Sequence, residues 1–486
     1  MIMKNIQKLS LVVALMGSML IPTGCQDYLT EEVYTQYAPQ DFLQNEDGIK
    51  KVLIGAYSRL QVNGGMREDQ FTLSEFPTDM TLESGGQFEK DALPFINFQW
   101  DASSGFLRSI WIQMYIAVRN ANVLLENIDN VKSIPPARLA QYKAEAQFIR
   151  SEAFAHLYRY FGPVPLVLTT STEDLQPTRP TNSEFINFVS TELAAAAKDL
   201  PLKQDLYGKA DKGTSLAVLT KFYLNTKQWQ KAADAAKEVM DLNKYKLFPE
   251  IENLFAVQNE LNNEFIYVYP CLAQGPGNVY MPHAFPPNYP ILSNWINYGA
   301  QFRTYTSFYK TFDPADRRLR MIITEYTDTK GVKQKLLENA TGKPLDNARS
   351  FKYTPDPSAI SQNNGNDIPV IRYADILLSR AEALNELQGP NQESITLINQ
   401  VRTRAGVMPL ELADFTTKEA LRTHLLKERG WEFFSEGKRR EDMIRMGTFI
   451  SNAKARGKNA QPFQVLYPLP QAEIEANANL KQNEGY

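Results

Sequence analysis

Two cysteines, Cys25 and Cys271, are all that the 486 residues contain, so no disulfide framework organises the chain and stability must come from packing. Neither sign of charge is in excess. Lys and Arg number 52 against 55 Asp and Glu, a net charge of −3, which gives no global field to recruit nucleic acid. A local basic patch is still compatible with that balance. The three histidines, His156, His283 and His424, are far apart and lack metal-ligand spacing. Glycine loops with a phosphate-cradling lysine and Gly-x-Ser-x-Gly elbows are also missing. A structural calcium is compatible with the sequence, because loop carboxylates can bind it without a contiguous motif. No apolar run is long enough to cross a bilayer, which takes roughly 20 residues.

The one prominent apolar run, Leu9 to Ile21, is broken only by Ser10, Gly17 and Ser18 and follows Lys4 and Lys8, the pattern of an export signal. Gly24 and Cys25 then supply the small residue and thiol that a lipoprotein signal peptidase requires, although Pro22 and Thr23 depart from the usual residues before the cysteine. Cleavage there leaves Cys25 as an N-terminus carrying fatty acyl chains such as palmitate. Each buried methylene contributes about 0.8 kcal/mol, so several chains anchor without spanning. Ordinary secretion with cleavage nearby is the alternative. The expected organisation is a signal peptide over 1–24, a tether over 25–41 and a helical body over 42–486.

In that body, Ser133, Pro135 and Pro136 open a helix in which Ala146, Ile149, Ala153, Leu157 and Tyr160 recur at spacings of 3, 4, 4 and 3, and Gly162-Pro163 closes it. One face is therefore buried. Residues 183–200 form another helix. Residues 214–225 and 228–242 form a tight pair in which Ala232, Ala233 and Ala236, with Tyr223 and Trp229, resemble a tetratricopeptide unit whose alanines let helices approach closely. A second pair, 373–387 and 392–404, is split by Gly389-Pro390.

Residues 248–370 differ in texture. Prolines 270, 276, 282, 286, 287 and 290 preclude long helices, and ten aromatics fall in the 33 residues from Tyr280 to Phe312. Large rings commonly pack loops against a body. So many in proline-stiffened loops also make a candidate recognition surface.

Several stretches together resemble the SusD/RagB family, in order along almost the whole mature chain. They are 144–165 (AEAQFIRSEAFAHLYRYFGPVP), 371–386 (IRYADILLSRAEALNE), 398–406 (INQVRTRAG), 427–447 (KERGWEFFSEGKRREDMIRMG) and 466–486 (LYPLPQAEIEANANLKQNEGY), preceded by Trp111, Tyr115, Asn120, Ala121 and Asn122. Trp431 is a local departure. The alternating charges Glu428, Arg429, Glu432, Arg439, Arg440 and Asp442 sit at helical spacings where exposed or partly buried ion pairs order packed helices. The resemblance implies a mainly α fold, a tetratricopeptide-like stack of about four units with a loop-rich, aromatic-rich insertion. It further implies an extracellular outer-membrane lipoprotein that catalyses nothing. Such a protein captures oligosaccharide, or in some members peptide, for a SusC-like TonB-dependent transporter.

A sugar offers C–H faces ringed by hydroxyls, so its binder needs flat rings beside amides or carboxylates. Trp295 and Tyr298 are the expected platform, with Asn294 and Asn297 as hydroxyl partners. Trp100, with Asp101, is the expected second wall, and Asp79 lies in a comparable loop. Two rivals remain at this level. A glycoside hydrolase needs two carboxylates roughly 5–10 Å apart, which 55 acidic residues do not forbid. A tetratricopeptide scaffold for a protein segment explains the helices but leaves the export signal and aromatic insertion incidental.

Overall fold

A computed structural model describes residues 42–486 apart from 65–67, 87 and 300. The expected signal peptide over 1–24, the expected lipidation position Cys25 and the expected tether to 41 lie outside the described residues. The helices are α1 (Glu46–Gly64), α2 (Glu68–Ser74), α3 (Glu89–Asn97), α4 (Gly105–Asn127), α5 (Pro136–Phe161), α6 (Asn182–Asp199), α7 (Lys212–Asn225) and α8 (Trp229–Asp241). They continue as α9 (Tyr280–Ala284), α10 (Thr306–Tyr309), α11 (Tyr373–Gln388), α12 (Gln392–Ala405), α13 (Lys418–Phe433), α14 (Arg439–Arg445), α15 (Phe449–Ala455) and α16 (Gln471–Ala476).

Local chemistry sets the helix ends. Pro136 opens α5, where its missing N–H costs nothing, and Gly162 at φ 70° closes it. Thr181 and Glu184 form a capping box at the start of α6, with Glu184 N–H donating to Thr181 Oγ1 at 3.3 Å and Thr181 N–H to Glu184 Oε2 at 2.8 Å. The long helices then stack in sequence: α1 on α4, α4 on α5, α5 on α6, α6 on α7, α7 on α8, α8 on α11, and α11 on α12 and α13. This is the tetratricopeptide-like stack. Ala232, Ala233 and Ala236 are fully buried on α8, where small side chains let it approach its neighbours; Ala232 and Ala233 share a cluster with Leu224 and Ala383. The core continues through Leu377, Leu378, Ile395, Ile398 and Val401 of α11 and α12.

The insertion returns to its own starting point, because β2 (Phe265–Tyr269) pairs antiparallel with β8 (Ile368–Arg372). A second ladder joins it to the early part of the chain: β1 (Thr81–Glu83), just after α2, pairs antiparallel with β3 (Phe302–Thr304). Two smaller ladders pair β4 (Ile322–Ile323) with β7 (Arg349–Ser350) and β5 (Glu325–Thr327) with β6 (Lys333–Lys335).

The charged residues of 427–447 do more than line exposed helix faces. Arg372 meets Glu264 at 2.6 Å, Glu432 at 2.5 Å and Glu436 at 2.9 Å, while Arg318 meets Glu428 at 2.8 Å and Glu432 at 3.2 Å. Arg429 pairs with Asp375 and Asp442, both at 2.8 Å, and Arg445 pairs with Glu382 and Asp442. All of these side chains are buried. The expectation of exposed or partly buried pairs is corrected here, because the partners come from β8, α11 and the turn Arg317–Met321 packed over α13. Burial alone would push the Glu428 carboxyl up, but Arg318, His424 and Arg402 hold it at about 2. Arg440 differs. It donates to the carbonyls of Arg159 and Val465 and lies 4.2 Å over the Tyr467 ring.

Candidate functional site

The β1–β3 ladder brings the loops around Asp79 and Trp100 to the aromatic insertion. At the end of α3 the left-handed conformation of Phe98 (φ 59°) turns the chain sharply, so that Trp100 folds back under it. Trp100 is only 5% exposed; it stacks on Phe95 at 5.9 Å, takes Tyr467 edge-on at 4.9 Å, and donates from Nε1 to the Tyr486 hydroxyl at 2.7 Å. It lies at the floor of the surface for which it was expected as a second wall. Asp79 is engaged by its neighbours. Its carboxylate is held by Arg439 Nε at 2.8 Å and Nη2 at 2.9 Å, with Asn452 Nδ2 at 3.2 Å. Burial opposes ionisation there, and the adjacent Arg439 still keeps the group below the usual carboxylate range.

In the insertion, Asn294 Nδ2 donates to the carbonyls of Ala359 at 2.7 Å and Pro357 at 3.2 Å. Asn297 Nδ2 donates to Pro286 at 2.8 Å, and its Oδ1 accepts from Gly299 N–H at 2.7 Å. Both amides brace the loops, and Asn294 is exposed. Trp295 is half-buried, stacked at 5.5 Å on Phe285, with Nε1 donating to the Asp356 carbonyl at 2.8 Å. Phe285 in turn stacks on Tyr289 at 5.5 Å, giving three near-parallel rings. Tyr298 is 37% exposed, with its hydroxyl fixed by Gln362 Oε1 at 2.5 Å.

Trp100 and Phe95 floor a cleft of about 520 Å³ between α3 and the start of α4, rimmed by Lys90, Gln99, Asp101 and the half-buried ring of Phe106. Asp101 is exposed, and its Oδ1 accepts from the Ser103 N–H at 2.7 Å. Ring contacts run from Phe106 to Phe88 at 5.9 Å, from Phe88 to His283 at 5.6 Å, and from His283 to Tyr298 at 4.9 Å, tying the cleft to the exposed tyrosine of the insertion. Phe106 escaped sequence reasoning because it opens a long amphipathic helix and reads as core. Its neighbours Gln99 and Asp101 flank Trp100, which was the signal available. Aromatic surface beside carboxylate, amide and ammonium groups is a geometry suited to a polyhydroxylated ligand.

The profile of the SusD family matches residues 225–486, more than half of the chain. The chain belongs to the SusD family. A second profile, described as starch-binding associating with outer membrane, matches residues 27–224. The SusD-like protein P2 of Formosa agariphila is 25% identical over 503 residues, covering 96% of this chain and 98% of that protein. Among solved structures, a SusD superfamily protein of Parabacteroides distasonis superposes with a TM-score of 0.78 at 23% identity, covering 90% of this chain and 99% of the other. Surface glycan-binding protein A of Bacteroides thetaiotaomicron, in complex with laminarihexaose, gives a TM-score of 0.74 at 19% identity, with coverages of 90% and 99%. The SusD family is a family of starch- and glycan-binding proteins. Residues 427–447, which carry the sequence resemblance to the family, contribute to the buried ion pairs and do not line the cleft.

Proposed function

We propose that this protein is a cell-surface lipoprotein, anchored through Cys25 to the outer membrane and facing outward, that captures an oligosaccharide and delivers it to a SusC-like TonB-dependent transporter without catalysis. The observation that carries the reading is the cleft floored by Phe95 and Trp100, joined through Phe88 and His283 to Tyr298. Phe106 and Tyr298 supply faces for sugar C–H groups, while Asp101, Gln99 and Lys90 supply partners for hydroxyls. The laminarihexaose bound to a protein of the same fold supports a glycan ligand, and the outer-membrane description of the N-terminal profile supports the location. Glu83, on β1 beside this surface, is one carboxyl that the fold withdraws from a catalytic role. Burial pushes its carboxyl up to about 8, Glu89 reinforces the shift, and Arg303 opposes it. Such a group has the protonation of a general acid, but both its oxygens are enclosed, so it cannot reach a glycosidic bond.

The test is electrophoresis of the purified mature protein through gels containing laminarin, starch or other neutral polysaccharides, alongside an assay for new reducing ends. Retardation without reducing ends is the expected outcome. Release of reducing sugar replaces the receptor with a hydrolase, and mobility unaffected by every glycan tried removes the reading.

A further inference from the structure

On other elements, sharing no residue with the cleft described above, the loop between α6 and α7 and the turn before β2 enclose a second cleft of about 510 Å³. Tyr245 also borders a shallow depression of about 640 Å³ along α12, lined by Tyr373, Thr396, Gln400 and Thr403. We propose that this cleft and the depression beside it form a second oligosaccharide subsite, an inference that rests on the glycan-binding reading above.

Three rings mark its course. Tyr207 is 42% exposed, yet its hydroxyl donates to Asp367 Oδ2 at 2.6 Å and lies 3.3 Å from the Glu260 carbonyl. The ring is thus held in place with a face open, and stacking a sugar on it costs little further ordering. Tyr245 and Tyr373 follow, both half-buried, with centroids 6.5 Å apart and planes 30° apart, and the Lys244 ammonium lies 5.1 Å from the Tyr245 ring centre. Between and beside them stand exposed hydrogen-bonding groups, the amides of Asn263 and Gln400 and the hydroxyls of Thr396 and Thr403. Leu261, 79% exposed, stands at the rim. Three lysines, Lys203, Lys209 and Lys244, also line the cleft behind Tyr207; Lys244 is paired with Asp211 and donates to the Leu202 carbonyl at 2.9 Å, and Lys209 lies 3.6 Å from Glu145. Rings, amides and hydroxyls across the cleft and the depression match an extended polyhydroxylated chain better than a flat protein face. Two subsites on one chain raise retention on a polymer through effective concentration.

Calorimetric titration of the mature protein decides the matter, with laminarihexaose as the first probe and, if that is silent, the strongest hexasaccharide from a neutral-glycan array. The expected stoichiometry is two per chain, falling to one in Tyr207→Ala/Tyr373→Ala, whereas Phe106→Ala weakens one of the two events about tenfold and leaves the other unchanged. The exposed pair Asn263→Ala/Gln400→Ala, which leaves packing untouched, should weaken the second event at least threefold without changing the melting temperature. One hexasaccharide per chain in the wild type, or two in the tyrosine variant, overturns the second subsite while leaving the receptor function standing. No binder on the array removes both. A peptide pool that perturbs the Tyr207 and Gln400 NMR signals where glycans do not would replace the oligosaccharide with a peptide and also overturn it.

Discussion

The Trp100 indole donates 2.7 Å to the hydroxyl of Tyr486, 386 residues away, and that hydroxyl in turn donates 2.8 Å to the Leu466 carbonyl. The C-terminal segment thereby fixes the ring that floors the candidate cleft. Tyr486→Phe leaves the buried indole N–H without its acceptor, at a cost of about 1–3 kcal/mol. A lower melting temperature with oligosaccharide affinity reduced less than threefold is expected. An unchanged melting temperature would show that the bond contributes nothing to stability.

Phe106 is half-buried at the rim of the cleft, so truncating it removes ligand surface more than core. Phe106→Ala is expected to weaken binding about tenfold, equivalent to about 1.4 kcal/mol, with little change in stability. Trp295→Ala should lower both, since that ring packs on Phe285 and bonds to Asp356. Calorimetry and thermal melting on both variants separate the two behaviours.

Glu432 sits among three guanidinium groups, with Oε1 facing Arg372 and Arg404 and Oε2 facing Arg318. Glu432→Gln keeps the volume and leaves three buried cations short of one charge. Breaking a buried pair in this way costs about 3–5 kcal/mol. Urea denaturation measures it, and a loss below about 1 kcal/mol would mean that the arginines find other partners.

Two buried carboxyls are shifted in opposite directions. For Asp442, burial is outweighed by Arg429 and Arg445 and the group falls from 3.8 to about 2, so its contribution is present above pH 3.8 and is lost as pH drops towards 2. Glu152 moves the other way: burial, partly offset by Arg159 and reinforced by Glu441, raises it from 4.5 to about 7. Its contribution is complete below pH 4.5 and disappears as pH rises through 7. Glu152→Gln should therefore raise the melting temperature relative to wild type at pH 9 and not at pH 4. A gain equal at both pH values would contradict the assignment.

Cys25→Ala should release the protein into soluble fractions and abolish metabolic labelling with fatty acid. No helix among the described residues is long and apolar enough to cross a membrane, so none of them supplies a helical substitute for the anchor. Continued membrane association together with labelling in the variant would refute lipidation at this cysteine.

The amino-acid sequence by itself determined the helical architecture and the family. Apolar spacings from Ala146 to Tyr160, the boundaries at Pro136 and Gly162 and the alanines of α8 are local signals, and the helix period turns each into a statement about which face is buried. The tertiary structure decided everything that depends on a partner distant in sequence. Glu432 meets arginines 60 and 114 residues away, so its burial was invisible in the helical spacing of 427–447. Trp100, Asn294 and Asn297 lie in loops, where no period relates position to exposure. Whether such a side chain faces a ligand, floors a cleft or braces a neighbouring loop is set by what packs over it, and here that was fixed by the β1–β3 ladder and by contacts with Tyr467 and Tyr486.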